Sequence, residues 1–302
     1  MGEITLEDKL KGFPNVYYLN LQESVDRRIY MDSQAKKYPI NFVRFPVENH
    51  FRNPTEFECD KNYEMDPLKP NSDHNGIHFQ LAVTMSYIKA FKQWYDSTYD
   101  QFAIFCDDDM DFSLLENWNF TWEEFMNNLP RNWEAVQLIR MRKDLNLDSN
   151  WTTLIDEEIE PIQLKRKLRP GLVPNFCMIK RNINQPNCGG SIYLLTREYV
   201  AKVLDKFYKN DKFSFMSEVG FTPGIRGVEN TLLFEHQGVY NIPLFVERAQ
   251  LLSTLKHTFP YMNVDGNSKF YHDVHVQSQA YYSYFWMKHG KSITLDMIIK
   301  DL

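Results

Sequence analysis

Three consecutive aspartates follow an apolar segment in the first half of the chain. Asp107, Asp108 and Asp109 come directly after residues 102–106, whose apolar side chains predict a buried strand. Adjacent carboxylates raise each other's pKa, and a divalent cation would relieve that repulsion. Because carboxylate oxygens suit Mg²⁺ and Mn²⁺, the pattern predicts a cation on Asp107 and Asp109, with a nucleoside diphosphate contacting Asp107 and Asp108. The alternative is a helix N-cap or a solvated turn, where aspartate is also favoured.

A second acid follows a glycine later in the chain. Gly227 permits a tight turn, and Glu229 falls in the first turn of a helix predicted over residues 227–237, where the helix dipole favours negative charge. Held near a substrate hydroxyl, Glu229 could accept the proton as a general base. A helix-start acid with no catalytic role is the alternative, and Asp273 is the alternative base.

Two further pairs of residues suit contacts with a ligand. Arg27 and Arg28 follow the first predicted strand, and guanidinium groups match phosphates. Gly189 and Gly190 precede another predicted strand and would let the backbone approach a ligand closely. The alternatives are an exposed helix face for the arginines and a plain turn for the glycines.

Four histidines occur late in the chain, at positions 257, 272, 275 and 289. Neutral imidazole is a good metal ligand, so one of them could complete the coordination of the cation. The prediction is His257, with His272 as the fallback. A purely structural histidine is the alternative.

Strand and helix patterns alternate along the chain and would position these residues. The predicted strands cover residues 15–21, 41–47, 102–106, 135–139, 176–180, 191–195 and 239–246. The predicted helices cover residues 24–37, 78–96, 197–208, 227–237 and 277–289. Residues 48–76 and 142–175 are polar and predict loops. The alternation predicts an α/β domain with a mainly parallel sheet, whose ligands bind beyond the carboxyl ends of the strands.

Composition narrows the class of protein. The 302 residues include 34 Lys and Arg against 40 Asp and Glu, and the net charge of −6 argues against a nucleic-acid binder. The four cysteines form no CxxC pair, which argues against a zinc ribbon, and Cys106 and Cys177 lie in apolar runs that predict buried thiols. The sequence shows neither a signal peptide nor an apolar run of about 18 residues. We therefore expect one soluble, cytoplasmic domain over residues 1–302, without a transmembrane segment.

These segments, in this order, resemble glycosyltransferase family 25, the lipooligosaccharide galactosyltransferase-like enzymes. The matching segments are residues 16–21 with 26–28 (the opening strand and "INL…DRR" motif), 81–91 (the "SH-x-x-A-W" helix), 104–109 (the "EDD" metal motif), 190–196 (the "G-x-x-x-Y-L-L-S" strand) and 241–246 (the late "P-L-V" strand). Tyr87 stands where the family has His, and Asp107 stands where it has Glu. Residues 227–229 occupy the place of the family's "P-x-D" segment.

The resemblance implies a Rossmann-like nucleotide-sugar fold of the GT-A type, a Mn²⁺ or Mg²⁺ requirement, a UDP-sugar donor and a glycan acceptor, with inversion at the anomeric carbon. Residues 14–140 would form the donor-nucleotide and metal half, 176–250 the acceptor half, and 251–302 a tail that closes the site. The implied donor contacts are Asn20, Leu21, Arg27, Arg28, Gly189 and Gly190. Residues 227–230 are also similar to the "G-x-E-D" segment of inverting galactosyltransferases, in which the acid is the base.

Two other functions use the same residues. A metal-dependent phosphoesterase would place the aspartates around a metal and attack with water. A non-catalytic carbohydrate-binding protein would keep the transferase fold without turnover.

Overall fold

The structure is a computed structural model, and it describes residues 4–47, 74–140, 176–181, 191–213, 228–235, 237–248 and 267–299. The strands in these ranges are β1 Val16–Leu21, β2 Phe42–Val47, β3 Phe102–Asp107, β4 Met110–Asp111, β5 Ala135–Gln137, β6 Ile179–Lys180, β7 Ile192–Thr196, β8 Tyr208–Lys209, β9 Lys212–Phe213, β10 Val239–Asn241 and β11 Val246–Glu247. The α-helices are α1 Leu6–Leu10, α2 Val25–Lys37, α3 His74–Ser97, α4 Trp122–Asn128, α5 Arg197–Phe207, α6 Val228–Leu232, α7 Asn267–His289 and α8 Leu295–Ile298. Short 3-10 turns cover Ser113–Asn117 and Gly290–Ser292.

A seven-stranded sheet in the order β2-β1-β3-β7-β5-β10-β6 lies at the centre of the fold. Strand β1 pairs in parallel with β2 and β3, and β5 pairs in parallel with β10, whereas β6 and β7 are antiparallel to their neighbours. Five of the seven strands therefore run in one direction. The predicted α/β class with a mainly parallel sheet is confirmed, and the antiparallel β7 in the middle of the sheet is a feature that the sequence pattern does not indicate.

The sheet separates two hydrophobic cores, and successive residues of β3 contribute to each in turn. Ile104 and Cys106 lie in the core that contains Trp118, Trp122, Phe245 and Trp286. Ala103 and Phe105 lie in the core that contains Phe91, Trp94, Tyr193, Tyr199 and Val203. Side chains of a strand alternate between its faces, so both faces of β3 are buried. This burial explains why β3 is an unbroken apolar run in the sequence.

Cys106 and Cys177 are buried free thiols, as predicted.

A small antiparallel ribbon of β4 and β11 joins two parts of the chain that are far apart in sequence. Met110 of β4 pairs with Glu247 of β11, and the Arg248 N–H donates to the Asp109 carbonyl at 2.8 Å. The ribbon begins immediately after the three aspartates. It therefore brings Glu247 and Arg248 next to Asp109.

Several predicted elements have different bounds in the structure, including the three that follow. The strand predicted over 239–246 is two strands, because Pro243 has no N–H and the N–H groups of Leu244 and Phe245 both donate to the Leu138 carbonyl, each at 3.0 Å. The helix predicted over 227–237 ends at Leu232, whose carbonyl accepts the Tyr199 hydroxyl at 3.2 Å. The helix predicted over 277–289 begins ten residues earlier, at Asn267.

Helix α4 is absent from the sequence-based prediction although its start carries a recognisable signal. Thr121 accepts the Glu124 N–H, and Glu124 in turn accepts the Thr121 N–H, which forms a capping box.

None of the helices within the described ranges is long and apolar enough to cross a membrane.

Candidate functional site

The three aspartates lie at the point where the strand order of the sheet reverses. From β1 the chain continues to β2 on one side and then to β3 on the other, so the reversal falls between β1 and β3. Leu19 of β1 is in register with Asp107, the last residue of β3, and Asn20 and Leu21 end β1. In α/β sheets, ligands bind in the crevice outside the carboxyl ends of the strands at such a reversal. The three aspartates and the end of β1 therefore lie at the same edge of the sheet, where a ligand would bind.

Asp108 is buried and both of its carboxylate oxygens are bonded within the protein. Arg27 Nη1 lies 2.7 Å from Asp108 Oδ1, and Asn20 Nδ2 donates to Asp108 Oδ2 at 2.6 Å. Asn20 also donates to the Ser24 carbonyl at 3.1 Å and accepts from Arg44 Nε at 2.9 Å. This network ties the start of α2 to the turn after β3. A direct contact between Asp108 and a nucleotide, and the contacts of Asn20 and Leu21 with a donor, stay predictions.

Arg27 lies against the aspartates and not on an exposed helix face. Its Nη1 also lies 3.0 Å from Asp109 Oδ2, and the residue is 8% exposed. Burial acts to lower the pKa of the guanidinium, but Asp109 and Asp108 outweigh it and the pKa of Arg27 is raised. Arg28 is half-buried beside the same helix start. Contact of either arginine with a donor stays a prediction.

Asp107 is held by a tyrosine that stands where the family 25 motif has histidine. Tyr87 Oη donates to Asp107 Oδ1 at 2.7 Å and lies 3.4 Å from the Ser191 carbonyl oxygen, which accepts the Asp107 N–H at 2.8 Å. Burial raises the pKa of the Asp107 carboxyl well above its usual value, and Asp109, Glu247 and Asp108 add to the rise, while the Tyr87 hydrogen bond opposes it. Burial and the neighbouring Asp107 also raise the pKa of Tyr87. The site thus contains a carboxyl group whose charge is strongly disfavoured without a counter-ion.

Glu247 belongs to this site and was missed by the sequence analysis. Ser191 Oγ donates to Glu247 Oε1, and the Glu247 N–H donates to Gln279 Oε1 at 3.1 Å. The sequence carries a signal that could have found it, since Glu247 follows an apolar segment just as Asp107 does. Its neighbours Ser191 and Gln279 are 56 and 32 residues away, which no local pattern links.

The carboxylate ligands at this site fit a cation that phosphate oxygens also coordinate. Within the described ranges, no group of three or more His, Cys, Asp and Glu residues is arranged to hold a metal by itself. Asp107 and Asp109 nevertheless supply two carboxylates whose mutual repulsion a cation would relieve. Mg²⁺ is commonly bound by one or two carboxylates together with substrate phosphates and water. Asp107 and Asp109 are therefore the residues that would hold such a cation.

Several predicted site residues cannot be placed at the aspartates. His257, Gly189 and Gly190 lie outside the described residues. Glu229 is described in its backbone alone, which lies in the first turn of α6, as predicted. The backbones of His272, Asp273 and His275 lie in α7, and their side chains lie outside the description.

His289 ends α7 and lies away from the aspartates. It follows Gln279 by ten residues on the same helix, which is about 15 Å along the axis. Its ring centroid is 5.7 Å from that of Phe285, and burial lowers its pKa with a further contribution from Lys288. His289 is therefore about three helical turns beyond the residue of α7 that contacts Glu247.

Comparisons with known proteins leave the family open. The chain matches no protein-family model and no curated protein sequence. Six chains among the solved structures match it. One of them, described as the crystal structure of A197 from STIV, is 10% identical, covers 78% of this chain and 84% of its own chain, and has a TM-score of 0.35. A likeness at that level supports no conclusion on fold or function, so the resemblance to family 25 stays a prediction from the motifs.

Proposed function

We propose that this chain is a metal-dependent glycosyltransferase that moves a hexose from a nucleoside-diphosphate sugar, with UDP-sugar as the expected donor, to a hydroxyl of a glycan or another acceptor. The observation that carries the proposal is the position of Asp107 and Asp109 at the carboxyl end of β3, where the strand order reverses beside β1. A Rossmann-like fold of the GT-A type belongs to the same proposal, and the seven-stranded, mostly parallel sheet is compatible with it.

The chain's own residues would share the work of binding and orientation. Asp107 and Asp109 would hold a divalent cation, which supplies charge stabilisation to a departing diphosphate. Tyr87 fixes the Asp107 carboxylate through the 2.7 Å hydrogen bond, and Arg27 fixes Asp108 and Asp109. Such pre-set positions reduce the reorganisation that a reaction requires. Arg28, on the same helix as Arg27, is the proposed contact to the donor phosphates.

Glu229 is the proposed general base of an inverting, single-displacement transfer. A sugar hydroxyl is a weak nucleophile until its proton is being removed, so a positioned carboxylate is required near the acceptor. The first turn of α6 offers such a carboxylate in a place where the helix dipole favours its charged form. Asp273 of α7 is the alternative acid.

The test is a thermal-denaturation screen of UDP and UDP-hexoses, each with and without Mn²⁺. We expect stabilisation by the nucleotide only when Mn²⁺ is present, because the cation and the diphosphate complete each other's coordination. Asp109→Asn should abolish this stabilisation. Asp111→Asn is the matched control, since Asp111 lies two residues on and accepts the Ser113 N–H at 2.7 Å.

Two results would contradict the proposal. One is the same nucleotide stabilisation in Asp109→Asn as in the wild type. The other is no stabilisation by any nucleotide sugar in Mn²⁺. Release of inorganic phosphate from the donor without an acceptor would instead favour the phosphoesterase.

A further inference from the structure

A polar cluster lies beside Asp107 and consists of Ser191, Glu247 and Gln279; we refer to it as the Glu247 cluster. Its members are the residue before β7, the last residue of β11 and a residue in the middle of α7. Ser191 Oγ donates to Glu247 Oε1, and the Ser191 carbonyl accepts the Asp107 N–H at 2.8 Å. Glu247 is also close enough to raise the pKa of the Asp107 carboxyl. The Glu247 cluster therefore adjoins the proposed cation and diphosphate site.

Gln279 has an amide nitrogen that no protein group satisfies in the described part of the chain. The residue is 2% exposed, its Oε1 accepts the Glu247 N–H at 3.1 Å, and its buried Nε2 has no hydrogen-bond partner there. A buried amide donor without an acceptor is costly, and a ligand or water commonly supplies the missing acceptor in native proteins. Because Gln279 Oε1 accepts the Glu247 N–H, Nε2 of the same amide lies near the backbone of Glu247.

The chemistry of the Glu247 cluster selects one class of ligand group. A carboxylate accepts hydrogen bonds and an amide nitrogen donates them, so together they match a hydroxyl, which does both. A phosphate oxygen is disfavoured because the Glu247 carboxylate would repel it. A cation is disfavoured at Gln279 Nε2, whose hydrogens carry positive partial charge.

We infer that the Glu247 cluster is a subsite for one hydroxyl of the transferred sugar, in which Gln279 Nε2 donates to the hydroxyl oxygen and Glu247 accepts its hydrogen. The inference rests on the proposed function, because a sugar donor at Asp107 and Asp109 is what brings a hydroxyl to this place. A site built to bond a hydroxyl discriminates strongly against the analogue without it, since its own buried polar groups are then left unpaired. Gln279 and Glu247 would thus determine which sugar is accepted.

The test compares UDP, the UDP-hexose that binds best, and its series of mono-deoxy analogues by titration calorimetry in Mn²⁺. Gln279→Met keeps the length of the side chain and removes the amide. We expect it to weaken binding of the parent UDP-hexose by roughly 2- to 12-fold, the range for one hydrogen bond, and to leave binding of UDP unchanged. One deoxy analogue should bind the wild type more weakly than the parent does, and it should bind Gln279→Met with no further loss.

Two further variants distinguish a loss of sugar binding from a loss of folding stability. Gln137→Met is the matched control, because Gln137 is a buried glutamine of β5 whose Oε1 accepts from Asn241 Nδ2 at 2.9 Å, and neither residue belongs to the Glu247 cluster. It should lower the melting temperature and leave sugar discrimination as in the wild type. Ser191→Ala removes the hydroxyl that donates to Glu247, and it should repeat the sugar-specific loss if Gln279→Met does not fold.

The outcomes separate the two proposals. If Gln279→Met and Ser191→Ala retain the discrimination of the wild type, or weaken UDP and UDP-hexose equally, the subsite is overturned and the proposed function stands. If the wild type binds neither UDP nor any UDP-hexose in Mn²⁺, the proposed function fails and the subsite fails with it.

Discussion

At the scale of single residues, the site is a set of carboxylates that differ in how the protein compensates their charge. Asp108 is bonded by Arg27 and Asn20 and is enclosed by the fold. Asp107 receives one hydrogen bond from Tyr87 and faces the like charges of Asp109 and Glu247. Asp108 therefore stabilises the turn after β3, and Asp107 is the carboxylate that a bound cation would stabilise most.

The raised pKa of Asp107 predicts a dependence of stability on pH in the metal-free protein. The folded-state pKa lies above the unfolded value of about 4, so this residue's contribution to stability is full below that value and is lost as the pH rises through the raised pKa. Asp107→Asn should therefore destabilise the metal-free protein less at neutral pH than at pH 4, or even stabilise it. Urea unfolding at several pH values without metal measures this difference.

The matched control for the pH experiment is Asp205→Asn, which removes a carboxylate whose side chain is 83% exposed. Urea unfolding of Asp205→Asn at the same pH values gives the baseline with which the change in Asp107→Asn is compared. If the difference in unfolding free energy between the wild type and Asp107→Asn is the same at every pH, the pKa of Asp107 is not raised in the folded protein.

Arg27 and Arg28 should behave differently when they are truncated. Arg27→Met leaves the buried Asp108 carboxylate without the positive charge of the guanidinium. Breaking a buried ion pair in this way typically costs about 3–5 kcal/mol of unfolding free energy. Arg28→Met should cost no more than about 1 kcal/mol, the centre of the range for point substitutions, because Arg28 is half-buried and takes no part in the ion pair with Asp108. Denaturant unfolding of the two variants gives the comparison. Equal destabilisation would contradict the structural role assigned to Arg27.

At the scale of elements, the sequence predicted best the strands that are buried on both faces. The apolar runs of β1 and β3 have few other interpretations, and their predicted bounds agree with the structure to within one residue. The prediction failed at residues 239–246, where Pro243 interrupts the pairing, and it omitted α4 despite its capping box. Glu247 and Gln279 could not be predicted as site residues, because the ribbon of β4 and β11 and the docking of α7 bring them there.

The capping box of α4 gives a direct test of how local sequence stabilises an element. Thr121→Ala removes the acceptor for the Glu124 N–H and should lower the free energy of unfolding by about 1 kcal/mol. Thr98→Ala is the matched control, because the Thr98 hydroxyl donates to the Trp94 carbonyl and caps no N–H group. Chemical denaturation should show the larger loss in Thr121→Ala, and the reverse order would refute the assignment of the cap.

At the scale of the whole molecule, the late helix α7 connects the tail of the chain to the candidate site. It packs against the 3-10 turn Ser113–Asn117 and against β11, and Trp286 Nε1 donates to the Pro243 carbonyl at 2.6 Å. Gln279 of this helix contacts the backbone of Glu247. The described part of the tail is thus fixed next to residues of the site, while closure of the site by residues 251–302 stays a prediction.

Gly290 controls the docking of this tail. A Cβ atom at this position would overlap the carbonyl oxygen of Asn117, whereas a Cβ atom on Gly12 would meet no atom within 4 Å. Gly290→Ala should therefore displace the end of α7 and increase amide hydrogen exchange along that helix. Gly12→Ala is the control and should leave exchange in α7 unchanged, although its own turn is strained by a φ of 75°. Unchanged exchange in Gly290→Ala would show that the contact with Asn117 does not fix the helix.

The measurement that tests the central claim most directly is turnover of a UDP-hexose with an acceptor in Mn²⁺, in which UDP, transferred sugar and inorganic phosphate are quantified together. The account predicts equal amounts of UDP and transferred sugar, an inverted anomeric configuration and no inorganic phosphate. Glu229→Gln keeps the shape of the side chain but cannot accept the proton, so it should lower turnover by about 10²–10⁴-fold with donor affinity nearly unchanged. Near-wild-type turnover in Glu229→Gln with loss in Asp273→Asn would move the base to the tail. Inorganic phosphate without sugar transfer would contradict the transferase itself.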